Sequence, residues 1–419
     1  MVAVRTPLTM TTLSGAVDQA REGAVVWLQR YFDSHAERFV GKLRRHMPIL
    51  SVGRVAVVTR REDVLAILAD PDTFATPYAS RLPGPFLLGL SGPAHERCAE
   101  EIRAVVQADD LELLKSFTET RAGRHVEDAL GRGGLDVGTD LVHPVLHAVV
   151  VRYLGLLDID TSVQLRWTRD LFQDVFLHSP GLPSSVHTRA QRATRALYTH
   201  VDDSIAARQE VRSDDVLSRL LERRRVAPDV ALTDAEIRGN LLGLAIGWLW
   251  HGAKAALLAV DGLLDRPDAL TQAQQAAKVG DLEELRRVLW EVLRFRPVQA
   301  GLLRTCLRET TIAADTARAT SIRPGSVVFV GTESAMHDET AIPDPETFDS
   351  SRAEGQYLNF GDGPHRCMGE RMMRVQLAAL VAPLLRAGRL RRAEGRQGRL
   401  RWHGPHPDGL RVEFTRLRG

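Results

Sequence analysis

Apolar residues recurring at helical spacing dominate the middle of the chain, from about Ala94 to Phe295, and predict a succession of helices. Breaks are expected at Pro144, at Ser179-Pro180-Gly181-Leu182-Pro183 and at Arg266-Pro267, where a missing N–H interrupts the helical ladder. Thr233-Asp234-Ala235-Glu236 reads as a capping box, opening a long apolar helix through Ile237 to Lys254. Asp281 to Phe295 forms another helix, stopped by Pro297. The flanks differ. Ahead of this block, Ala24 to Phe39 and Glu62 to Ala69 have helical spacing around a β-rich run at Arg54 to Thr59. Behind it, Gly301 to Val330 alternates short β-prone runs with turns, among them the Pro-Gly turn of Ile322-Arg323-Pro324-Gly325. A polar loop, a last helix from Met368 to about Ala382 and two β-prone strips near Leu400 and Leu410 close the chain. Neither a repeat nor a linker divides it. The pattern predicts a mainly α fold with a small β-region, one domain over residues 1–419.

Composition narrows this picture without redirecting it. Of 419 residues, 44% are hydrophobic and 26% charged, which suits a globular chain with a large core. A net charge of +2 gives no global field for nucleic acid or an acidic membrane. The segment Met1 to Pro7 has no apolar h-region, and no uncharged run reaches about 18 residues, so neither a leader nor a membrane anchor is expected. Cys98, Cys306 and Cys367 are scattered, which suggests neither a disulfide framework nor a zinc site and fits a reducing cytoplasm. No nucleotide fingerprint, flavin motif or iron–sulfur cluster extends the chain, so electrons, if required, come from another protein.

The most informative run is Phe360-Gly361-Asp362-Gly363-Pro364-His365-Arg366-Cys367-Met368-Gly369-Glu370. Gly361 and Gly363 permit tight turns and close approach to a flat ring. The helix beyond aims free N–H groups at the sulfur, and these, with Arg366, are expected to lower the thiol pKa. A thiolate so held pushes electron density onto a heme iron and favours O–O cleavage. The run resembles the heme-ligand loop of the cytochrome P-450 superfamily, Phe-Gly-x-Gly-x-His-x-Cys-x-Gly in bacterial members, with every fixed position present. The resemblance implies a single, triangular, mostly helical domain. It also implies heme b (iron protoporphyrin IX) with Cys367 as thiolate ligand, and Phe360, Gly361, His365 and Gly369 around the cofactor.

Other residues fall where that family places functional ones. Glu291 and Arg294, on one face of a helix ahead of Pro297, resemble its Glu-x-x-Arg motif, an architectural brace behind the heme. Arg304 and His365 match propionate donors, and His95 matches the histidine of a helix covering one heme edge. The family's arginine four residues after that histidine is replaced by Ala99, leaving Arg97 or Arg103 as candidates.

The pattern breaks in the helix expected to cross the distal heme face. Family monooxygenases carry Ala/Gly-Gly-x-Asp/Glu-Thr, whose acid and alcohol relay protons to dioxygen. With Gly247 as the family glycine, Leu249 and Trp250 take those places, and neither side chain relays a proton. Trp248, Trp250 and His251 shrink the distal space and favour a small or flat substrate. His251 and Trp250 are the catalytic candidates, His251 because its ordinary pKa lies near neutrality. Three readings follow: a monooxygenase with protons from water, substrate or His251; a peroxygenase or a redox-neutral dehydratase or isomerase; or a non-catalytic heme-binding helper. Phe74 to Leu90 (with Pro77, Pro83-Gly84-Pro85 and Phe86) and Leu171 to Val186 (with Phe172, Phe176 and Leu182) resemble the family's substrate segments. Arg366, Arg371 and Arg374 offer a positive face to an acidic ferredoxin, fed by a ferredoxin reductase. The sum is a cytoplasmic heme-thiolate oxidoreductase acting on a small molecule of bacterial specialised metabolism.

Overall fold

The computed structural model describes residues 40–79, 82, 84–176, 184–403 and 406–415. Helices α1 (Arg61–Ala69), α2 (Gly92–Val105), α3 (Asp110–Leu130), α4 (His143–Leu154), α5 (Thr161–Phe176), α6 (Ser184–Glu210) and α7 (Val216–Val226) make up the first half. They are followed by α8 (Asp234–Ile246), α9 (Ala253–Leu264), α10 (Pro267–Val279), α11 (Leu282–Phe295), α12 (Thr332–Met336) and α13 (Glu370–Arg386). The C-terminal helix α13 lies along α3 and against α10 and α11, while α5 pairs with α6. Most of the buried apolar side chains form one large cluster among these helices.

The β-region is small. Strands β1 (Ile49–Val52), β2 (Val55–Val58), β3 (Phe74–Ala75), β5 (Leu302–Cys306) and β8 (Val327–Val330) form a five-stranded sheet in the order β1-β2-β8-β5-β3. Only β2 and β8 run parallel. Its inward side chains, Val58, Val328 and Val330 among them, join Val64, Ile67 and Leu68 of α1 in a second apolar cluster. β4 (Gly134–Asp136), β9 (Arg389–Arg392) and β12 (Arg411–Thr415) make a three-stranded sheet; β6 (Thr310–Ile312) pairs with β7 (Thr320–Ile322), and β10 (Arg401–His403) with β11 (His406–Gly409).

The local signals place many of these boundaries. Thr233 and Glu236 form the reciprocal capping box that opens α8. The Asp281 side chain accepts from the Glu284 N–H at 2.8 Å and opens α11. Pro267 begins α10, where its missing N–H costs nothing. Pro144, expected as a break, instead sits in the first turn of α4 for the same reason. The strand just ahead of it, β4, had no signal in a stretch read as helical. The expected helix at Ala24 to Phe39, the N-terminal segment Met1 to Pro7, Pro83, the break at Ser179 to Pro183 and Leu182 lie outside the described residues.

One helix runs unbroken from Asp234 to Leu264, and its geometry changes midway. Residues Gly247–Gly252 form a π turn between α8 and α9. By length and composition this helix could cross a membrane, but 72% of its most apolar window is buried inside the fold, as befits a core helix.

Candidate active site

The loop before α13 is shaped by its glycines. Gly361 and Gly363 have φ of +70° and +73°, conformations that side chains rarely adopt. A Cβ on Gly363 would also lie 2.2 Å from the Leu68 carbonyl oxygen. The Cys367 N–H donates to the Phe360 carbonyl at 3.0 Å, closing the loop behind the sulfur. Trp290 of α11 packs on Phe360 with ring centres 5.5 Å apart. Cys367 keeps accessible surface, yet burial is the largest influence on its thiol and pushes its pKa up. Those two facts together describe a sulfur facing an internal cleft rather than bulk water. The N–H groups of Gly369 and Glu370 act on the sulfur in the opposite direction. The expectation that Arg366 lowers this pKa fails for a local reason. Its guanidinium donates to Glu370 at 2.5 and 2.8 Å and lies 3.6 Å from Asp362, so its charge is already balanced.

Beside this loop sits a basic cluster. The imidazoles of His95 (α2) and His365 (the loop) are 4.2 Å apart. Burial, then His95 and Arg304, hold His365 down at about 4. Burial and Arg103 lower His95. Arg304, on β5, is 4% exposed, donates to the Leu303 carbonyl at 2.9 Å, and meets no carboxylate among the described residues. Arg97 is committed elsewhere, to Glu236 and the carbonyls of Val230 and Ala231. A buried cation without a counter-ion is costly. Three basic groups against a cysteine-bearing, glycine-turned loop therefore fit a planar group carrying two carboxylates and a metal that takes sulfur, which describes heme.

Glu291 and Arg294 are both 0% exposed and bonded to each other twice at 2.9 Å. Arg294 also donates to the carbonyls of Met336 and Thr347. Glu291 accepts from Arg352, from the Tyr357 hydroxyl and from the Asp349 N–H. These contacts knit α11 to α12 and to the segment leading into the cysteine loop.

Across the π turn the two tryptophans part company. The Trp248 indole N–H donates to Gln376 of α13, and its ring meets Tyr153 of α4. The Trp250 indole N–H donates to the Thr168 hydroxyl of α5 at 2.8 Å. Trp250 thus has its one donor engaged in a helix–helix contact, which leaves it no proton to offer a substrate. His251 goes a different way. Its Nε2 is 3.1 Å from the Gln299 amide nitrogen, and its ring meets Phe172 and Phe176 edge-on at 5.0 and 5.7 Å. Burial, then Lys254, hold it neutral, with a pKa of about 4.

Two chains of contact relate His251 to the cysteine loop. Gln299 precedes β5, whose Leu302 approaches Gly361 and whose Arg304 faces His365. Phe176 meets Tyr78 at a tilt with ring centres 5.2 Å apart, and Tyr78 in turn acts on Arg304. Gln299 was missed at the sequence level, because a glutamine after a helix-stopping proline has no signature. His406, against Phe172 and Trp250, was missed as well. On the opposite face Arg371 is exposed, whereas Arg374 is tied to Glu354 and Glu370, and with Arg366 also paired the expected positive patch is largely neutralised.

Known proteins supply the context. Residues 268–405 match the sequence profile of the family described as Cytochrome P450. The chain is 26% identical to the mycinamicin IV hydroxylase/epoxidase of Micromonospora griseorubida, over 78% of this chain and 81% of that protein. It is 28% identical to the nocardicin C N-oxygenase of Nocardia uniformis, over 78% and 81%. Among solved structures, CalO2 superimposes with a TM-score of 0.79 over 92% of this chain and 97% of that one, at 23% identity. P450BioI, solved with a fatty-acyl-loaded acyl carrier protein, gives 0.79 over 93% and 100%, at 21% identity. With the loop, the cluster and the fold in agreement, the chain belongs to the cytochrome P450 family, whose members are heme-thiolate oxidoreductases.

Proposed function

We propose that this chain is a monooxygenase-type enzyme that oxidises a small molecule of bacterial specialised metabolism, with Cys367 as the heme ligand. The observation that carries the reading is the juxtaposition of the Cys367 loop with Arg304, His95 and His365, a basic cluster in which, among the described residues, the carboxylate of Glu96 acts on His95 and none acts on Arg304 or His365. Heme bound there would supply oxygen activation and insertion of one oxygen atom into the substrate. The residues have separate tasks. Arg304, His95 and His365 hold the propionates; Phe360, Gly361 and Gly369 shape the ligand loop; Glu291 and Arg294 brace it from behind. Phe176, stacked on the buried Phe172, gives an aromatic wall to the substrate space. The hydroxylase, epoxidase and N-oxygenase names of the relatives support oxygen insertion as the reaction class. A ferredoxin and its reductase, in the cytoplasm, are proposed as the source of electrons. Reduced protein exposed to carbon monoxide should show the red-shifted Soret band of thiolate ligation, and Cys367→Ala should lose it. A histidine-type spectrum in the unmutated protein would overturn the assignment.

A specific observation favours a peroxide-driven variant of the reaction. The acid–alcohol pair is absent, and the titratable side chain beside Gln299 and the aromatic wall is His251, held neutral at about 4. A neutral imidazole there can accept a proton from hydrogen peroxide and return it, which an indole cannot. Turnover by hydrogen peroxide, set against turnover with ferredoxin, reductase and dioxygen, separates the two modes.

A further inference from the structure

The heme accounts for one basic cluster and leaves another. His406, on β11, is 3% exposed, and among the described residues it is the one histidine with both ring nitrogens fully buried and without a hydrogen-bond partner. A neutral imidazole carries one donor and one acceptor, and a buried polar atom with no partner calls for an explanation. The ring stands edge-on to Phe172 at 4.5 Å, and His251 meets the same Phe172 at 5.0 Å. Trp250 lies 5.0 Å from His406, its own N–H already given to Thr168. The groups that act electrostatically on His406 are Lys254, His251 and His403, and the one acting on His251 is Lys254. No carboxylate is among them. The arrangement repeats the chemistry of Arg304, His95 and His365, but the two heme carboxylates are already matched there, and this second cluster borders the aromatic wall of α5.

We propose that His406, together with His251, recognises a carboxylate on the substrate, whose apolar body lies on the half-buried Phe176, itself backed by Phe172. The assignment rests on the heme-enzyme reading above and adds to it a substrate class: small organic acids with an aromatic or flat apolar part. His406 acts here as a specificity residue. An anion between two imidazoles would accept a hydrogen bond from each and favour their protonated forms, which neither an ester nor an amide does.

The test uses the heme-loaded protein and three acids: phenylacetate, 3-phenylpropionate and indole-3-acetate. Each is compared with its methyl ester and its amide, binding being read both by the optical spin-state shift and by equilibrium dialysis. At least one acid should bind at least tenfold more tightly than its neutral counterparts. His406→Phe should abolish the preference and His406→Gln retain part of it, with the carbon monoxide spectrum unchanged in both. Equal affinities, no binding by any acid of the series, or a preference that survives in His406→Phe would overturn the assignment. Should His406→Phe fail to take up heme, the acid–ester comparison in the unmutated protein and in His251→Gln decides. Loss of acid preference beside an intact thiolate spectrum sinks this inference alone, whereas an absent thiolate spectrum sinks the heme reading beneath it.

Discussion

Arg294 and Arg304 stand ten positions apart in sequence, and both are almost wholly buried. Around Arg294 the chain supplies everything the guanidinium requires: two bonds to Glu291 and the carbonyls of Met336 and Thr347. Around Arg304 the chain supplies the carbonyl of the preceding residue and the imidazoles of His365 and His95, whose pKa values are lowered, and no carboxylate among the described residues acts on it. The first arginine is desolvated and compensated within the fold, so its loss is felt as unfolding. The second is desolvated with no acid beside it, so folding bears the cost and a ligand recovers it. Burial alone does not distinguish a structural charge from a binding one; the origin of the counter-charge does.

The contrast can be tested from its strong end. Glu291→Ala would turn Arg294 into an uncompensated buried cation and should cost about 3–5 kcal/mol, leaving poorly folded or heme-free protein. Normal heme content and thermal stability in that variant would erase the distinction. His251→Ala should leave heme content and folding intact while lowering peroxide-driven turnover by about 10²–10⁴-fold. Efficient ferredoxin-driven oxidation that ignores this substitution would return the enzyme to water-borne protons. Arg304→Ala should do little harm to the apoprotein, and the difference should appear in heme transfer to a heme-scavenging globin. One lost charge-assisted bond, about 1.5–3 kcal/mol, corresponds to roughly ten- to a hundredfold weaker retention. A destabilised apoprotein would instead place Arg304 with Arg294.

The smallest effect concerns pH. His251, near 4 in the folded chain against an ordinary value of about 6.5, binds fewer protons when folded than when unfolded. Stability from this group is therefore complete above the unfolded value and declines as pH falls from about 6.5 toward 4. Thermal midpoints should drop by a few degrees over that window, and less in His251→Phe. A saturating carboxylate ligand should shrink the drop further, because it favours the protonated imidazole.

What could be read from sequence was what is decided within a few residues. The Phe360-to-Gly369 loop and the Glu291–Arg294 pair are local patterns, so their spacing carries their geometry. Arg366 misled because the residue nearest in sequence to the sulfur found Glu370 one helical turn away. Thr168, Gln376 and Gln299 were invisible as partners of Trp250, Trp248 and His251, since helix packing alone brings them together. The π turn escaped for another reason. Most of α8 and α9 is buried and apolar around its circumference, so the hydrophobic pattern has no phase from which a one-residue slip could be noticed.

That widened turn has a consequence for how such an enzyme can change. A π turn holds one residue more than an α turn, and a residue is worth about 100° of helical rotation. Deleting one residue between Gly247 and Gly252 would close the turn while α8 and α9 kept the faces they already bury. The deletion would change which side chain stands opposite Gln299 and leave the packing at both ends untouched. The helix is in this sense a selector dial, in which a change of chain length by one residue substitutes one distal chemistry for another without rebuilding the scaffold that carries it.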